Sequence, residues 1–336
     1  MKTIVCDRPG VLSLAERPRP ERQPGEVLIR IRRVGICGTD YHIYGGNQPY
    51  LSYPRVMGHE LAGTVEAADA GSPLAPGQVV TVIPYLACGS CVACRRGKPN
   101  CCMRIRVLGV HTDGGMTEYL SVPEAHVLPT EGLTLDQAAM IEFLAIGAHA
   151  VRRAALTGGE RVLVVGAGPI GLATGIFARL AGAQVTLVDR DADRLALGLA
   201  AAGLDRGEVA DAGLAERLAA ATEGEFYDAV FDATGNPQAM AAGFGYVAHG
   251  GAYVLVSIVA ADIAFNDPEF HKRETTLLGS RNATHTDFEH VITAIRAGRV
   301  SLAALHSHSF ALDDAPARFP ELIAGQSAVI KAIGAI

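Results

Sequence analysis

The chain lacks a broad positive field, a long apolar run, an internal repeat and a low-complexity tract. Each absence excludes something. Its 336 residues carry a net charge of −6 with both signs spread throughout, which gives a nucleic-acid phosphate backbone nothing to neutralise it. The longest apolar runs are broken by Gly or polar residues well short of the roughly 20 needed to span a bilayer. The opening MKTIVCDRPG has no apolar core of a signal peptide. A soluble cytoplasmic protein, with no nucleic-acid or membrane partner, is the expectation. Charged residues are 19% and apolar ones 49%, an ordinary globular balance that excludes disorder and a fibrous repeat. This length exceeds what one hydrophobic core usually serves, so two domains are expected, one able to interrupt the other.

Cysteine is scarce and unevenly placed. Five of the seven fall within CGSCVACRRGKPNCC, residues 88–102. An odd number clustered at two-residue gaps does not describe a secreted disulfide framework, so metal binding or catalysis is the better reading. Cys88, Cys91, Cys94 and Cys102 are spaced C-x2-C-x2-C-x7-C, close enough for four thiolates to surround one Zn²⁺. Such a closed shell leaves no position for substrate, and its role is structural. A redox C-x-x-C pair needs a βαβ setting that this Gly/Pro-rich loop does not offer. An iron–sulfur cluster is also compatible with four thiolates.

Two textures succeed one another along the chain. Up to about residue 130, short β-type runs (VLIRIRRVGI at 27–36, AGTVEAA at 62–68, QVVTVIP at 78–84) are separated by Pro and Gly. From Thr157 strands and helices alternate: RVLVVGAG, the helix PIGLATGIFARLAGA, QVTLVD, the strand AVFDATG, the helix QAMAAGFGYVA and the strand AYVLVSIV at 252–259. That succession predicts a parallel sheet with helical crossovers, an α/β architecture.

Within it, Gly166-Ala-Gly168-Pro169-Ile170-Gly171 joins an apolar strand to a helix, the setting in which GxGxxG binds a dinucleotide. The first glycine permits the turn, the second admits the pyrophosphate and the third lets helix and strand pack closely. Asp189 ends the next strand, twenty-one residues after Gly168, placed to accept from the adenosine ribose hydroxyls and to repel a 2′-phosphate. NAD is therefore expected over NADP. Arg190 beside it is a solvated arginine or a contact for that phosphate. Thr234 closes a further strand at the edge where ligands bind in such sheets, although a plain loop would look the same.

A second set of metal-type donors is dispersed: Cys37 in VGICGTDYHIYGG, His59 and Glu60 in MGHELAG, and Glu142 in MIEFLAIGAHA. One thiolate, one imidazole and carboxylates can hold Zn²⁺ and leave a position for an alcohol. Spacing alone does not bring them together.

GICGTDYHI, GHELAG, the four-cysteine lobe and GAGPIG, in that order, resemble the zinc-dependent medium-chain alcohol and polyol dehydrogenases over essentially the whole chain. The resemblance implies a GroES-like β-rich catalytic domain at 1–146, with a structural-zinc lobe at about 86–104. It further implies a Rossmann doubly wound NAD-binding domain at 147–283 and a C-terminal return at 284–336. It implies two Zn²⁺ per chain, one structural and one catalytic, and the x7 gap selects Cys102 over Cys101. Cys37, His59 and Glu142 match catalytic-zinc positions, Glu60 an acid that stays behind the ligands or exchanges with them, and Asp40 the residue orienting the histidine. Thr39 and His42 match the proton relay. A homodimer or homotetramer is implied as well.

Within the family, GGNQPYLSYPRVMGHE, VIPYLACGSCVAC, VLGVHTDGGMTEYLSVP and DPEFHKRETTLLGSRNAT most resemble bacterial sugar-acid dehydrogenases of the L-galactonate 5-dehydrogenase type. A polyhydroxy acid oxidised at a secondary alcohol is the implied substrate. Arg281 is the candidate to pair its carboxylate, with Asn282 adding a hydroxyl contact. His111 is expected to make a structural hydrogen bond. An uncharged polyol, or an amino alcohol such as threonine, is the neighbouring alternative. A non-catalytic zinc- or NAD-binding protein is the alternative from another class, and retention of Cys37, Thr39, His42, His59 and Glu142 together speaks against it. Two departures stand out: Phe143 where relatives carry proline, and Asp69 where they carry glycine.

Overall fold

The computed structural model describes residues 1–48, 51–325 and 328–336. Pro49 and Tyr50, within the quoted GGNQPYLSYPRVMGHE, lie outside the described residues. The chain packs into two units, Met1–Phe143 with Thr284–Gly298 and His306–Ile336, and Leu144–Ala283 with Arg299–Leu305. The first division falls inside the helix Ile141–Ala154, a few residues before the expected 146/147 boundary, and the short segment Arg299–Leu305 packs with the second unit.

The first unit is built on a seven-stranded sheet. Its order runs His306–Ala311, Lys331–Ala335, Glu26–Ile36, Glu60–Ala67, Val79–Val82 and Val127–Pro129, with Tyr119–Pro123 also pairing to Glu26–Ile36. The β-branched run at 27–36 forms the longest strand because neighbours cover both its faces: Val27, Ile29, Ile31 and Val34 are fully buried. One pairing brings the two ends of the unit together. The C-terminal strand lies antiparallel to this central one, Ala332 opposite Ile36, while Glu60 lies opposite Gly35 on its other side.

The second unit is a parallel sheet of six strands in the order Arg206–Val209, Gln184–Asp189, Arg161–Val165, Tyr227–Asp232, Val247–Leu255, Thr276–Gly279. This is the doubly wound order, and it puts the carboxyl ends of all six strands on one edge. Two expectations shift here. The helix expected at 238–248 ends earlier, as Pro237–Gly243 followed by a 3₁₀ turn, because Val247 and Ala248 already belong to the next strand. That strand ends at Leu255 and not at 259, because the N–H groups of Val256 and Ser257 both turn to the carbonyl of Asp232.

Leu163, Val188, Leu218, Val230, Val247 and Tyr253 form the core on one face of this sheet. The Tyr253 ring is fully buried and its hydroxyl donates to the Met240 carbonyl at 2.8 Å. Tyr253→Phe keeps the shape and strips that buried carbonyl of its donor, so a loss of about 1–3 kcal/mol is expected. Urea unfolding monitored by circular dichroism reads it as a lowered midpoint at unchanged slope.

Candidate active site

Cys37 directly follows the central strand of the first unit and starts the helix Gly38–Gly45. Its N–H donates to Asp40 Oδ2 at 2.9 Å, and Asp40 Oδ1 accepts the N–H of Gly58 at 3.3 Å. Asp40 therefore ties the backbone beside Cys37 to the backbone beside His59, whose Nδ1 lies 4.0 Å from the same carboxylate. Donor atoms of Cys37, His59 and Glu60 lie within 4.8 Å of one another. His59 is 5% exposed and its Nδ1 makes no hydrogen bond among the described residues. A thiol, a buried imidazole and a carboxylate so gathered fit a Zn²⁺ ion.

The charges around these donors are dense. Burial works against a charge on His59, yet Cys37, Asp40 and Glu142 outweigh it and hold the imidazole's proton affinity well above its ordinary value. Asp40 is raised by its complete burial, only partly offset by His59 and the backbone N–H groups. Glu142 opens the helix Ile141–Ala154, and burial pushes its carboxyl up to about 7 against the pull of His59. Glu142 stands outside the converging triad; its Oε1 accepts the hydroxyl of fully buried Tyr85.

Glu60 has a partner that no sequence motif announces. Lys331 Nζ donates to Oε1 at 2.6 Å, to Oε2 at 2.7 Å and to the Ile36 carbonyl at 3.2 Å, with both side chains at most 1% exposed. Phe143, the residue in place of the family proline, lays its ring 4.4 Å from the same ammonium, a cation–π contact. Gly35 makes room: a Cβ there would sit 2.2 Å from Glu60 Oε2. The available signal was a single lysine inside the apolar run AVIKAIGAI.

Thr39 and His42 lie three residues apart on the helix Gly38–Gly45 and so share a face. Thr39 is half-buried, and exposed His42 meets Asn47 Oδ1 through Nδ1 at 3.2 Å. Asp69, the second departure from the family, accepts the N–H of Gly25 at 2.6 Å and pairs with Arg22, which fastens a turn.

In the lobe, Cys88, Cys91, Cys94 and Cys102 bring their sulfurs within 4.8 Å, while Cys101 is exposed and outside the group. The N–H groups of Cys88 and Arg104 point at Cys102 Sγ at 3.2 and 3.3 Å, and that of Met103 at Cys91 Sγ at 3.5 Å. Such donors favour thiolate: Ser90's N–H foremost pulls Cys88 down to about 5, and the N–H of Cys94 foremost takes Cys91 to about 7. Burial leaves Cys94 near 11 until a cation arrives. The ribbon pairing Tyr85–Leu86 with Arg106–Val107 closes the base. Inside it only Cys91, Asn100 and Cys102 are buried, so four sulfurs stand where a core would be. His111 Nδ1 accepts the Val107 N–H at 3.1 Å, a structural bond as expected.

In the second unit Gly166 adopts φ 104°, Gly168 caps the helix Pro169–Leu180 with Pro169 and Ile170 as its first residues, and Gly171 is obligatory. A Cβ on Gly171 would stand 1.7 Å from the Gly166 carbonyl. Asp189 accepts the Ala167 N–H at 2.7 Å and the Asp191 N–H at 3.0 Å, which fixes the carboxylate beside the turn. Arg190 is exposed, while Arg194, unforeseen from the sequence, donates to the Ala167 carbonyl at 3.0 Å. The Thr234 hydroxyl donates to buried Asp232 at 2.8 Å. Exposed Arg281 and half-buried Asn282 follow the last strand on the same edge of the sheet, Asn282 at φ 52°.

The two clusters differ in what a single substitution removes. Cys102→Ala should take about one zinc per chain and lower thermal stability, because four thiolates make a structural site. Cys101→Ala should keep the full metal content, and Cys37→Ser should lose the other zinc with the fold intact. Elemental analysis of dialysed protein beside circular dichroism checks all three.

The model of the alcohol dehydrogenase GroES-like domain matches residues 23–132, and that of the zinc-binding dehydrogenases matches residues 169–297. The chain is 46% identical over 319 residues to L-galactonate-5-dehydrogenase of Escherichia coli K12, covering 92% of each chain. L-threonine 3-dehydrogenase of Bacillus licheniformis is 30% identical, covering 92% of this chain and 91% of its own. Among solved structures, an alcohol dehydrogenase (rspB) of E. coli CFT073 in complex with NADH superposes with a TM-score of 0.93 at 31% identity, over 100% of this chain and 99% of that one. The chain belongs to the zinc-binding alcohol dehydrogenase family and is a zinc-dependent oxidoreductase that works with a nicotinamide cofactor.

Proposed function

We propose that this dehydrogenase oxidises a secondary alcohol of a sugar acid, L-galactonate or a close relative at its 5-position, to the ketone, with NAD as the acceptor. The observation that carries the chemistry is the convergence of Cys37, His59 and Glu60 in a chain whose dinucleotide turn is complete. The sugar-acid substrate rests on the 46% identity, over 92% of both chains, to L-galactonate-5-dehydrogenase.

Zinc, when bound, supplies a Lewis acid that polarises the substrate hydroxyl and lowers its pKa. Cys37, His59 and Glu60 are the residues we assign to hold it, with Glu142 the further carboxylate of the set, and Cys88, Cys91, Cys94 and Cys102 would hold the structural ion. Asp40 fixes the first two by binding the backbone beside each. Thr39 takes the hydroxyl proton, and His42, exposed at the far end of the same short helix, releases it to water. Two electrons leave with the carbinol hydrogen as hydride for the nicotinamide. Gly166, Gly168 and Gly171 hold the pyrophosphate, and Asp189 takes the adenosine ribose hydroxyls, which disfavours a 2′-phosphate. Arg281 pairs the substrate carboxylate and Asn282 a hydroxyl.

We further propose a cytoplasmic homodimer or homotetramer. No helix among the described residues is long and apolar enough to cross a membrane. The outer strand Thr276–Gly279 pairs on one side only among the described residues and shows Leu277 42% exposed, a template for a second copy. Sedimentation should give at least a dimer at micromolar concentration, and a monomer throughout would sink the assembly.

A panel monitored by NADH absorbance tests the substrate: L-galactonate and related acids should give the highest kcat/KM, above sorbitol and threonine, and NAD should outperform NADP. Arg281→Ala should lower kcat/KM for the acids by about 10- to 100-fold, as expected for a lost charge-assisted pair, and leave sorbitol nearly unchanged. Equal losses on acid and polyol would remove Arg281 from the carboxylate role.

A further inference from the structure

Two aspartates flank the strand that leads into the glycine turn. Asp189 ends the strand on one side of Arg161–Val165, and Asp232 ends the strand on the other side, paired with Val165 itself. Neighbouring strands lie about 4.8 Å apart, so these two strands end about 10 Å from each other across the turn. A dinucleotide laid over that turn has its halves on opposite sides. With the adenosine ribose at Asp189, the nicotinamide half falls on the side of Asp232.

Asp232 is 0% exposed, yet its carboxylate is only half used. Oδ1 accepts the N–H of Thr234 at 2.9 Å and its hydroxyl at 2.8 Å, while buried Oδ2 has no hydrogen-bond partner among the described residues. A carboxylate buried with one oxygen unpaired works against the stability of the fold, which is the mark of a position held for function. What Oδ1 holds is the turn 233–236. The Thr234 hydroxyl passes the restraint on by accepting the Asn236 N–H at 3.1 Å, and the Asn236 side chain caps the helix Pro237–Gly243. The same turn packs tightly on the glycine turn: a Cβ on Gly166 would stand 3.0 Å from the Ala233 carbonyl and 3.2 Å from the Thr234 nitrogen. The Asp232 carbonyl, for its part, accepts the N–H groups of Val256 and Ser257 at 2.9 and 3.2 Å. One residue thus joins three segments of the ligand edge, and its side chain governs the turn on the nicotinamide side.

We propose that Asp232 is a positioning residue for the nicotinamide half of the cofactor: through Thr234 it fixes the turn 233–236 against the glycine turn. It acts through Thr234 because its own carboxylate is enclosed. The inference rests on the reading of the glycine turn and Asp189 as the cofactor site.

The test compares, by calorimetry on the full-length zinc-loaded protein, the binding of NADH, which has both halves, with that of AMP, which has the adenosine half alone. Asp232→Ala should weaken NADH by about tenfold or more, the effect of losing hydrogen bonds to a charged acceptor. AMP should change by less than about twofold, since its site is remote from the substitution. Asp232→Asn, which keeps an acceptor for Thr234, should bind NADH within about threefold of wild type. Thr234→Val keeps the shape and removes the hydroxyl, and should weaken NADH by about three- to tenfold with AMP unchanged. Added to Asp232→Ala it should cost little more, because both act on one turn. NADH weakened no more than AMP in folded Asp232→Ala would overturn the proposal and leave the aspartate a structural residue. So would failure of Asp232→Asn to recover NADH affinity, or unchanged NADH binding in Thr234→Val, a result readable even if Asp232→Ala does not fold. Failure of the underlying cofactor reading looks different: Asp189→Ala would then leave the binding of both AMP and NADH unchanged.

Discussion

A fully buried ammonium bound to a fully buried carboxylate organises the catalytic unit. Taking either ion out of water alone would cost several kcal/mol, and their mutual attraction offsets that only with near-ideal geometry and additional partners. Lys331 and Glu60 meet both conditions through two short bonds, a carbonyl and an aromatic face. The geometry is possible because the strand Glu26–Ile36 runs between the strands that carry the two residues, and because Gly35 on it has no side chain. The last strand of the chain is thereby committed to the neighbourhood of Cys37. A β-unit whose seven strands come from both ends of the sequence is held in register partly by chemistry at its site.

The same economy appears at the two sulfur-bearing positions. In the lobe, where hardly any side chain is buried, the sulfurs and the N–H groups aimed at them replace a hydrophobic core, and a metal held by them would be part of the fold. At Cys37 the surroundings are already packed, and Asp40 fixes the backbone on both sides before any metal is considered. One donor group stands where a core is missing, and the other is set in packed surroundings.

How much was legible beforehand depends on how local the physics is. The glycine turn could be read because each glycine answers to atoms within a few residues: Gly171 packs on the Gly166 carbonyl. The C-x2-C-x2-C run could be read because four sulfurs within fifteen residues have few other uses. The end of the strand at Leu255 could not, since an apolar run continues to 259 and only the Asp232 carbonyl on the neighbouring strand draws the chain away. Phe143 is visible in the sequence as a departure from the family, which suggests only a change of loop. In the fold it is a wall for a cation that lies 188 residues further along.

By itself, then, the sequence determined the architecture, the four-cysteine group and the nucleotide turn, because hydrophobic period, ligand type and glycine placement act at short range. Tertiary structure alone decided which partner holds each buried carboxylate. Glu60 and Lys331 are 271 residues apart and meet only through strand pairing, and Glu142 is taken up by Tyr85 from a distant ribbon. Charge pairing in a dry interior is set by who is adjacent in space, and adjacency across a sheet is not written in the spacing of residues along the chain.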